Sequence, residues 1–112
     1  MALRVSEAEL QSGIIAAAHA YGYKVAHFRP AKTAKGWRTA VAADGRGFPD
    51  LVIAKPGRLI FAELKSSVGL LTDAQRGWIE SLPNAYVWTP KDWPDRIHHI
   101  LKDGPPPRPQ ER

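Results

Sequence analysis

Two carboxylates and a lysine flank a short predicted hairpin in the middle of the chain. The hairpin consists of two apolar, β-rich runs with a Pro-Gly turn signal between them: 51–54 and 59–62, separated by Pro56 and Gly57. If the turn is centred on the Pro-Gly pair, Asp50 lies directly opposite Glu63, with their β-carbons ~5 Å apart. Lys65 is two residues beyond Glu63 and therefore lies on the same face of the strand.

This arrangement favours a cation site for phosphate chemistry. Like charges directly opposite each other destabilise a sheet, so fold stability alone gives no reason for the Asp50–Glu63 pair. Mg²⁺ or Mn²⁺ bridging the two carboxylates removes the conflict, and the Lys65 ammonium can orient water or offset charge on a phosphate. A second interpretation is that these are solvent-facing charges at strand ends, and a one-residue bulge at Gly57 would separate them.

Composition limits the class of protein. The chain has 112 residues, with 16 basic and 11 acidic side chains and a net charge of +5, which favours an anionic partner. Its length supports one domain, and 44% hydrophobic and 24% charged residues exclude global disorder. The absence of cysteine excludes disulfides, thiolate zinc sites and a cysteine nucleophile. No apolar run suits a membrane span or signal peptide, so we expect a soluble, cytoplasmic protein with no membrane partner.

The elements that position these residues can be read from caps and periodicity. A first helix over 7–21 begins after Ser6 and ends at Gly22, and a strand follows over 23–28. Thr72 and Gln75 form a capping box that opens a second helix, which Pro83 closes. A strand over 85–89 and a helix over 95–102 complete an α/β fold, with a mixed β-sheet flanked by helices.

The segment 29–47 has little periodicity and contains five basic residues against one acidic residue. It is either a solvated connection or a binding loop. The residues expected to contact an anionic strand are Arg29, Lys32, Lys35, Trp37, Arg38 and Arg46. Trp37 could stack on an unpaired base or anchor the loop to the core. The tail 104–112 has four prolines in nine residues and is predicted to be disordered.

Five blocks in order resemble the VRR-Nuc branch of the PD-(D/E)xK nuclease superfamily. They are Glu7-x-x-x-Gln11, Gly47-x-Pro49-Asp50, Glu63-Leu64-Lys65, Thr72-x-x-Gln75-x-x-Trp78 and Val87-Trp88-x-Pro90. The resemblance covers roughly residues 6 to 101, so we interpret 1–103 as one nuclease-like domain followed by the tail. It implies a restriction-endonuclease-like sandwich and hydrolysis of DNA phosphodiesters with Mg²⁺ or Mn²⁺.

The resemblance also implies roles for individual residues. Asp50, Glu63 and the backbone carbonyl of Leu64 would be metal ligands, and Lys65 would be the catalytic lysine. Glu7 matches a helix-1 glutamate that joins the site in many members, although Glu9 is close by in sequence. Gln75 matches a glutamine that lines the site, and its capping role is the alternative explanation.

The expected activity is structure-selective cleavage of branched DNA, in particular a four-way (Holliday) junction. Symmetric cleavage of a junction needs two sites, so we expect a homodimer related by a two-fold axis. The aromatic residues divide between the core and this interface, since a core this small cannot bury all of them fully, and the candidates include Trp78, Tyr86, Trp88 and Trp93. The alternative function is a non-catalytic DNA-binding module that retains the nuclease fold. A sequence-specific cutter is disfavoured because the chain has little room for a separate reading domain.

Overall fold

The computed structural model describes residues 5–28, 31–33, 36–38, 43–66 and 69–105, with the backbone alone for 31–33 and 36–38. Ten elements follow in chain order: α1 (Glu7–Ala20), β1 (Lys24–His27), β2 (Ala31–Thr33), β3 (Gly36–Arg38), β4 (Leu51–Lys55), β5 (Arg58–Leu64), α2 (Asp73–Ser81), β6 (Ala85–Trp88), a 3₁₀ turn (Pro90–Asp92) and α3 (Asp95–Asp103). No helix in these ranges is long and apolar enough to cross a membrane.

The main sheet has four strands in the order β1-β4-β5-β6. β1 and β4 are antiparallel, β4 and β5 form an antiparallel hairpin, and β6 lies parallel to β5 after the α2 crossover. Because β5 is central, its last five residues are all buried, whereas the edge strand β1 alternates between exposed and half-buried positions. The prediction of an α/β fold with a mixed sheet flanked by helices is confirmed.

The predicted hairpin register is also correct. Val52 pairs with Phe61 and Ala54 with Leu59, so no bulge displaces the strands. Gly57 adopts a φ of +81°, which the tight turn requires and which residues other than glycine rarely adopt. Beside the turn, Lys55 donates to the carbonyl of Tyr21 (2.6 Å), and Arg58 donates to the carbonyl of Lys102 (2.9 Å).

The helices α1 and α2 begin at the capping residues that the sequence predicts. Ser6 Oγ accepts from the amide of Glu9 (3.1 Å) at the start of α1, and Gly22 has a φ of +87° just after its end. At α2, Thr72 Oγ1 accepts from the amide of Gln75 (3.1 Å), and Gln75 Oε1 accepts from the amide of Thr72 (2.9 Å). The capping box is therefore complete and fixes the first turn of α2.

The core lies between the sheet and the α1 and α3 helices. Its buried members come from the sheet, from α1 and α3 and from the residue before β1: Leu10, Ile14, Ala17, Ala18, Tyr23, Leu51, Ile53, Ile60, Ala62, Leu64, Trp88, Ile97, Ile100 and Leu101. Trp88 is only 1% exposed, so its side chain belongs to the core of its own chain. Of the aromatic residues considered for a subunit interface, Trp88 therefore belongs to the core, on β6 beside the central strand β5.

The segment 29–47 is less irregular than its sequence suggests. It contains an antiparallel hairpin of β2 and β3, in which Ala31 pairs with Arg38 and Thr33 with Gly36. Strands of three residues are too short to show a period. Among the predicted DNA contacts, Arg29 and Lys35 lie outside the described residues, as do the side chains of Lys32, Trp37 and Arg38. In the predicted tail, residues 106–112 also lie outside the described part.

Candidate active site

The predicted site residues meet at one end of the main sheet, where β4 begins and β5 and β6 end. The amide of Phe28 donates to the carbonyl of Asp50 (3.1 Å), which extends the pairing of β1 with β4. On the other side, the amide of Lys65 donates to the carbonyl of Trp88 (3.0 Å). The backbones of Asp50 and Lys65 are therefore held by neighbouring strands, one on each side of the hairpin.

Asp50 is fixed against the end of β5 by its side chain. Its Oδ2 accepts from the amide of Leu64 at 2.8 Å. In the observed register, the step beyond the Leu51–Ala62 pair places Asp50 opposite Glu63, as the hairpin arithmetic predicts. A charge-assisted hydrogen bond of this length to a backbone amide limits the rotation of the Asp50 carboxyl group.

Glu63 is a buried acid, with only 3% of the residue exposed. Its Oε2 accepts from Gln75 Nε2 at 3.2 Å and lies 3.7 Å from the ammonium nitrogen of Lys65. Burial, reinforced by the negative charge of Asp50, raises the pKa of Glu63 to about 8 against the opposing influence of Lys65. A carboxyl group shifted this far from its ordinary value of 4.5 marks a functional-site candidate.

Glu7 contributes to the same electrostatic environment. It is exposed in the first turn of α1, and its negative charge is a further cause of the raised pKa of Glu63. One turn later, Gln11 Nε2 hydrogen-bonds His27 Nδ1 (3.3 Å), which fixes the start of α1 against the end of β1. The structure thus brings the charge of Glu7 within range of Glu63, whereas Glu9 contributes its amide to the helix cap.

Gly69 lies close to the side chain of Lys65. Its amide donates to the carbonyl of Ser66 (3.0 Å), and a Cβ built on Gly69 would lie 3.1 Å from Lys65 Cδ. Gly69 therefore approaches the aliphatic stem of Lys65 and limits the positions its ammonium group can take.

Gly47 joins the segment before Asp50 to α2, a role that sequence reasoning missed. Its φ of +83° is strained for any other residue. A Cβ at this position would also lie 2.7 Å from the backbone carbon of Ala74 and 2.8 Å from the amide nitrogen of Gln75. The Gly47-x-Pro49-Asp50 block was the available signal, but only the fold shows that Gly47 permits close packing against the helix that carries Gln75.

The donor set fits a hard divalent cation. Two carboxylates, Asp50 and Glu63, lie at the strand ends, and the carbonyl of Leu64 follows directly after Glu63. Among the described residues, no group of three His, Cys, Asp or Glu side chains forms a ready-made metal site. Mg²⁺ does not require one, because it is commonly bound by one or two carboxylates, with water and substrate phosphate completing the coordination.

Comparison with known protein families, curated proteins and solved structures finds no match to this chain. The site contains a buried acid, a second acid opposite it, an ammonium group and a side-chain amide, all at the end of one hairpin.

We expect Gln75→Ala to lower the activity of this site by about tenfold or more, because it removes the amide that orients Glu63. Gln75 also belongs to the α2 capping box, so the variant should lose about 1 kcal/mol of stability as well. Thr72→Ala is the matched control, since it disrupts the same cap but leaves the Gln75 amide available to Glu63. Rates and urea midpoints of both variants check the prediction. Equal loss of activity in the two variants would show that Gln75 acts only through the helix cap.

Proposed function

We propose that this protein is a metal-dependent DNA endonuclease with a restriction-endonuclease-like sandwich fold. The observation that carries the proposal is the convergence of Asp50, Glu63 and Lys65 at one sheet end, with Glu63 buried and its pKa raised to about 8. Burying an acid next to a second acid lowers the stability of the fold, which indicates a functional role for the pair. Binding a divalent cation is the use that this donor set supports best.

Each residue has a distinct task in the proposed reaction. Asp50, Glu63 and the carbonyl of Leu64 would hold Mg²⁺ or Mn²⁺. When bound, the cation supplies charge neutralisation at the phosphate and lowers the pKa of a water molecule. Lys65 places its ammonium group beside the carboxylates, where it can orient the attacking water and offset the negative charge that develops on the phosphate oxygens. Gln75 keeps the Glu63 carboxyl group in position through its hydrogen bond.

DNA as the substrate is supported by charge. The chain carries a net charge of +5, and the segment 29–47, which leads into Asp50, contains five basic residues against one acidic residue. Basic groups in such a segment would bind phosphates without reading the sequence, so recognition would depend on the shape of the DNA. Branched DNA, including a four-way junction, is the proposed substrate.

The deciding experiment incubates purified protein with labelled single-stranded, duplex, flap and four-way DNA in Mg²⁺, Mn²⁺ or EDTA. We expect cleavage of branched substrates with either metal and none in EDTA. Binding without cleavage under every condition would favour the alternative, a DNA-binding module that retains the fold. Neither binding nor cleavage would overturn both proposals.

The active species is proposed to be a homodimer, because paired cuts in a junction need two identical sites. Sedimentation at micromolar concentration, with and without junction DNA, measures its state. A two-fold dimer that makes paired cuts supports the proposal. A monomer that cleaves flaps at full rate would remove the junction-resolving activity and leave the nuclease.

We expect Lys32→Ala, Lys35→Ala and Arg38→Ala together to weaken the salt dependence of DNA binding. If these side chains bind phosphates, the slope of log K against log salt on duplex DNA should fall by ~0.9 for each phosphate that is no longer neutralised. Changing Lys24, Lys91 and Lys102 to Ala instead removes the same charge from exposed positions outside 29–47. An equal change in slope for both triple variants would assign the effect to net charge alone.

A further inference from the structure

An open groove of about 520 Å³ lies beside α2. Its lining residues come from one face of α2, along its whole length, and from the segment that precedes the candidate site: Ala43, Asp44, Arg46, Ala74, Gly77, Trp78 and Ser81. The size lies within the range of about 300–1,000 Å³ that is typical of sites for small organic ligands, a class that includes a single nucleotide.

The groove and the candidate active site share the first turns of α2. Ala74 lines the groove, and the next residue, Gln75, donates its side-chain amide to Glu63. The opposite wall is fixed to the same helix, because Trp78 Nε1 donates to the carbonyls of Asp44 (3.0 Å) and Arg46 (3.2 Å). A molecule in the groove would therefore contact the same helix that positions Glu63 through Gln75, against walls that are already formed.

Gly77, which lines this groove, makes α2 less stable than alanine would, and no packing among the described residues compensates for the difference. Glycine inside a helix is ~1 kcal/mol less favourable than alanine. Its φ is not in the left-handed region, and a Cβ built on it would meet no described atom within 4 Å. Neither backbone conformation nor packing among the described residues therefore requires glycine here. The space over Gly77 suits a molecule that approaches the helix backbone closely.

We propose that the groove receives one unpaired nucleotide of the cleaved DNA strand, beside the phosphate that is hydrolysed. This inference rests on the proposed nuclease function and narrows its substrate from branched DNA in general to DNA with unpaired nucleotides at the cleavage point, such as a flap, rather than a fully paired four-way junction. A base inside an intact duplex is stacked and paired on both sides, so it cannot enter a groove on the protein surface.

The chemistry of the walls fits this occupant. The Trp78 N–H is shared between two backbone carbonyls, and its ring packs in a T-shaped contact against Phe48 with the centroids 5.0 Å apart. The part of the half-buried indole that lines the groove is the part that can contact a base. Arg46 is exposed at the rim and can pair with a backbone phosphate. Asp44, also exposed, disfavours a phosphate on its own side but can accept a hydrogen bond from the amino group of a base. The two charges therefore define an orientation for the nucleotide.

Filling the groove tests the inference. Gly77→Phe places a ring over the helix backbone, while Glu80→Phe adds the same ring at an exposed position of α2 outside the groove. We expect Gly77→Phe to weaken binding of flap DNA in EDTA by about tenfold, the effect of removing one base-stacking interaction, with little change for duplex DNA. Glu80→Phe should bind both DNAs like the wild type.

A fluorescent base gives a readout that is independent of affinity. After the cleavage position is mapped, 2-aminopurine is placed at the unpaired nucleotide beside it. We expect its fluorescence to be quenched on binding to the wild type and to Glu80→Phe, but not on saturation of Gly77→Phe. Equal affinity and equal quenching in all three proteins that still cleave flaps would overturn the groove assignment alone. Failure of the wild type to bind or cleave any DNA would overturn the proposed function with it.

Discussion

Asp50→Asn is expected to reduce metal-dependent cleavage by at least ~10²–10³-fold, the loss typical of removing one key electrostatic group from an active site. The variant loses the negative charge that would hold the cation. It keeps a carboxamide oxygen that can accept from the amide of Leu64, so the end of the hairpin should retain its structure. DNA binding should change little, because phosphate contacts that position the substrate come from other residues.

Asp73→Asn is the matched control for this variant. Asp73 is an exposed aspartate in the first turn of α2 whose described ion pair is with Arg76 (3.2 Å), away from Glu63. Cleavage rates in Mg²⁺, DNA affinity in EDTA and circular dichroism should be measured for both proteins. Full activity of Asp50→Asn would exclude Asp50 as a metal ligand. Loss of activity in both variants would attribute the effect to the change in net charge.

The metal-free protein should become less stable as the pH rises from about 4.5 to about 8. Over this interval the native Glu63 retains its proton, because its pKa is raised to about 8, while the unfolded chain loses it near 4.5. The native state then binds more protons than the unfolded state, so the free energy of unfolding falls by up to ~1.4 kcal/mol per pH unit. Urea unfolding in EDTA at a series of pH values measures the slope.

Two comparisons assign this slope to the candidate site. Glu63→Gln should flatten it, because an amide does not titrate, and Glu80→Gln, at an exposed position of α2, should leave it unchanged. Excess Mg²⁺ should offset the loss increasingly at higher pH, because the cation binds the native state with Glu63 deprotonated. A slope that persists unchanged in Glu63→Gln would assign the pH dependence to other groups.

Local signals account for what the sequence predicted well. The Pro56-Gly57 turn fixed the hairpin register, and with it the placement of Asp50 opposite Glu63, because a two-residue turn between apolar runs leaves few alternatives. The capping box of α2 was readable for the same reason, since its partners Thr72 and Gln75 are three residues apart. Short-range geometry is encoded in adjacent residues and needs no knowledge of the tertiary structure.

Features that depend on tertiary packing were not predictable in the same way. The burial of Glu63 follows from its place on a central strand, and the double role of Gln75 follows from how α2 packs on the sheet. Trp88 was indistinguishable by residue type from an interface tryptophan until its strand was placed next to β5. The close approach of Gly47 to Ala74 joins residues 27 positions apart, and no local pattern encodes it.

The exposed Pro56-Gly57 turn provides a place to attach other molecules to this protein. Five paired residues separate it from Asp50, about 17 Å along the strand, so it lies at the far end of the hairpin from the candidate site. The flanking Lys55 and Arg58 are tied to the helix layer, and a Cβ on Gly57 would meet no described atom within 4 Å. A flexible tether inserted between Pro56 and Gly57 should leave the unfolding midpoint and cleavage rate near those of the parent. A targeting domain carried on that tether would deliver the hairpin's acidic end to a chosen DNA.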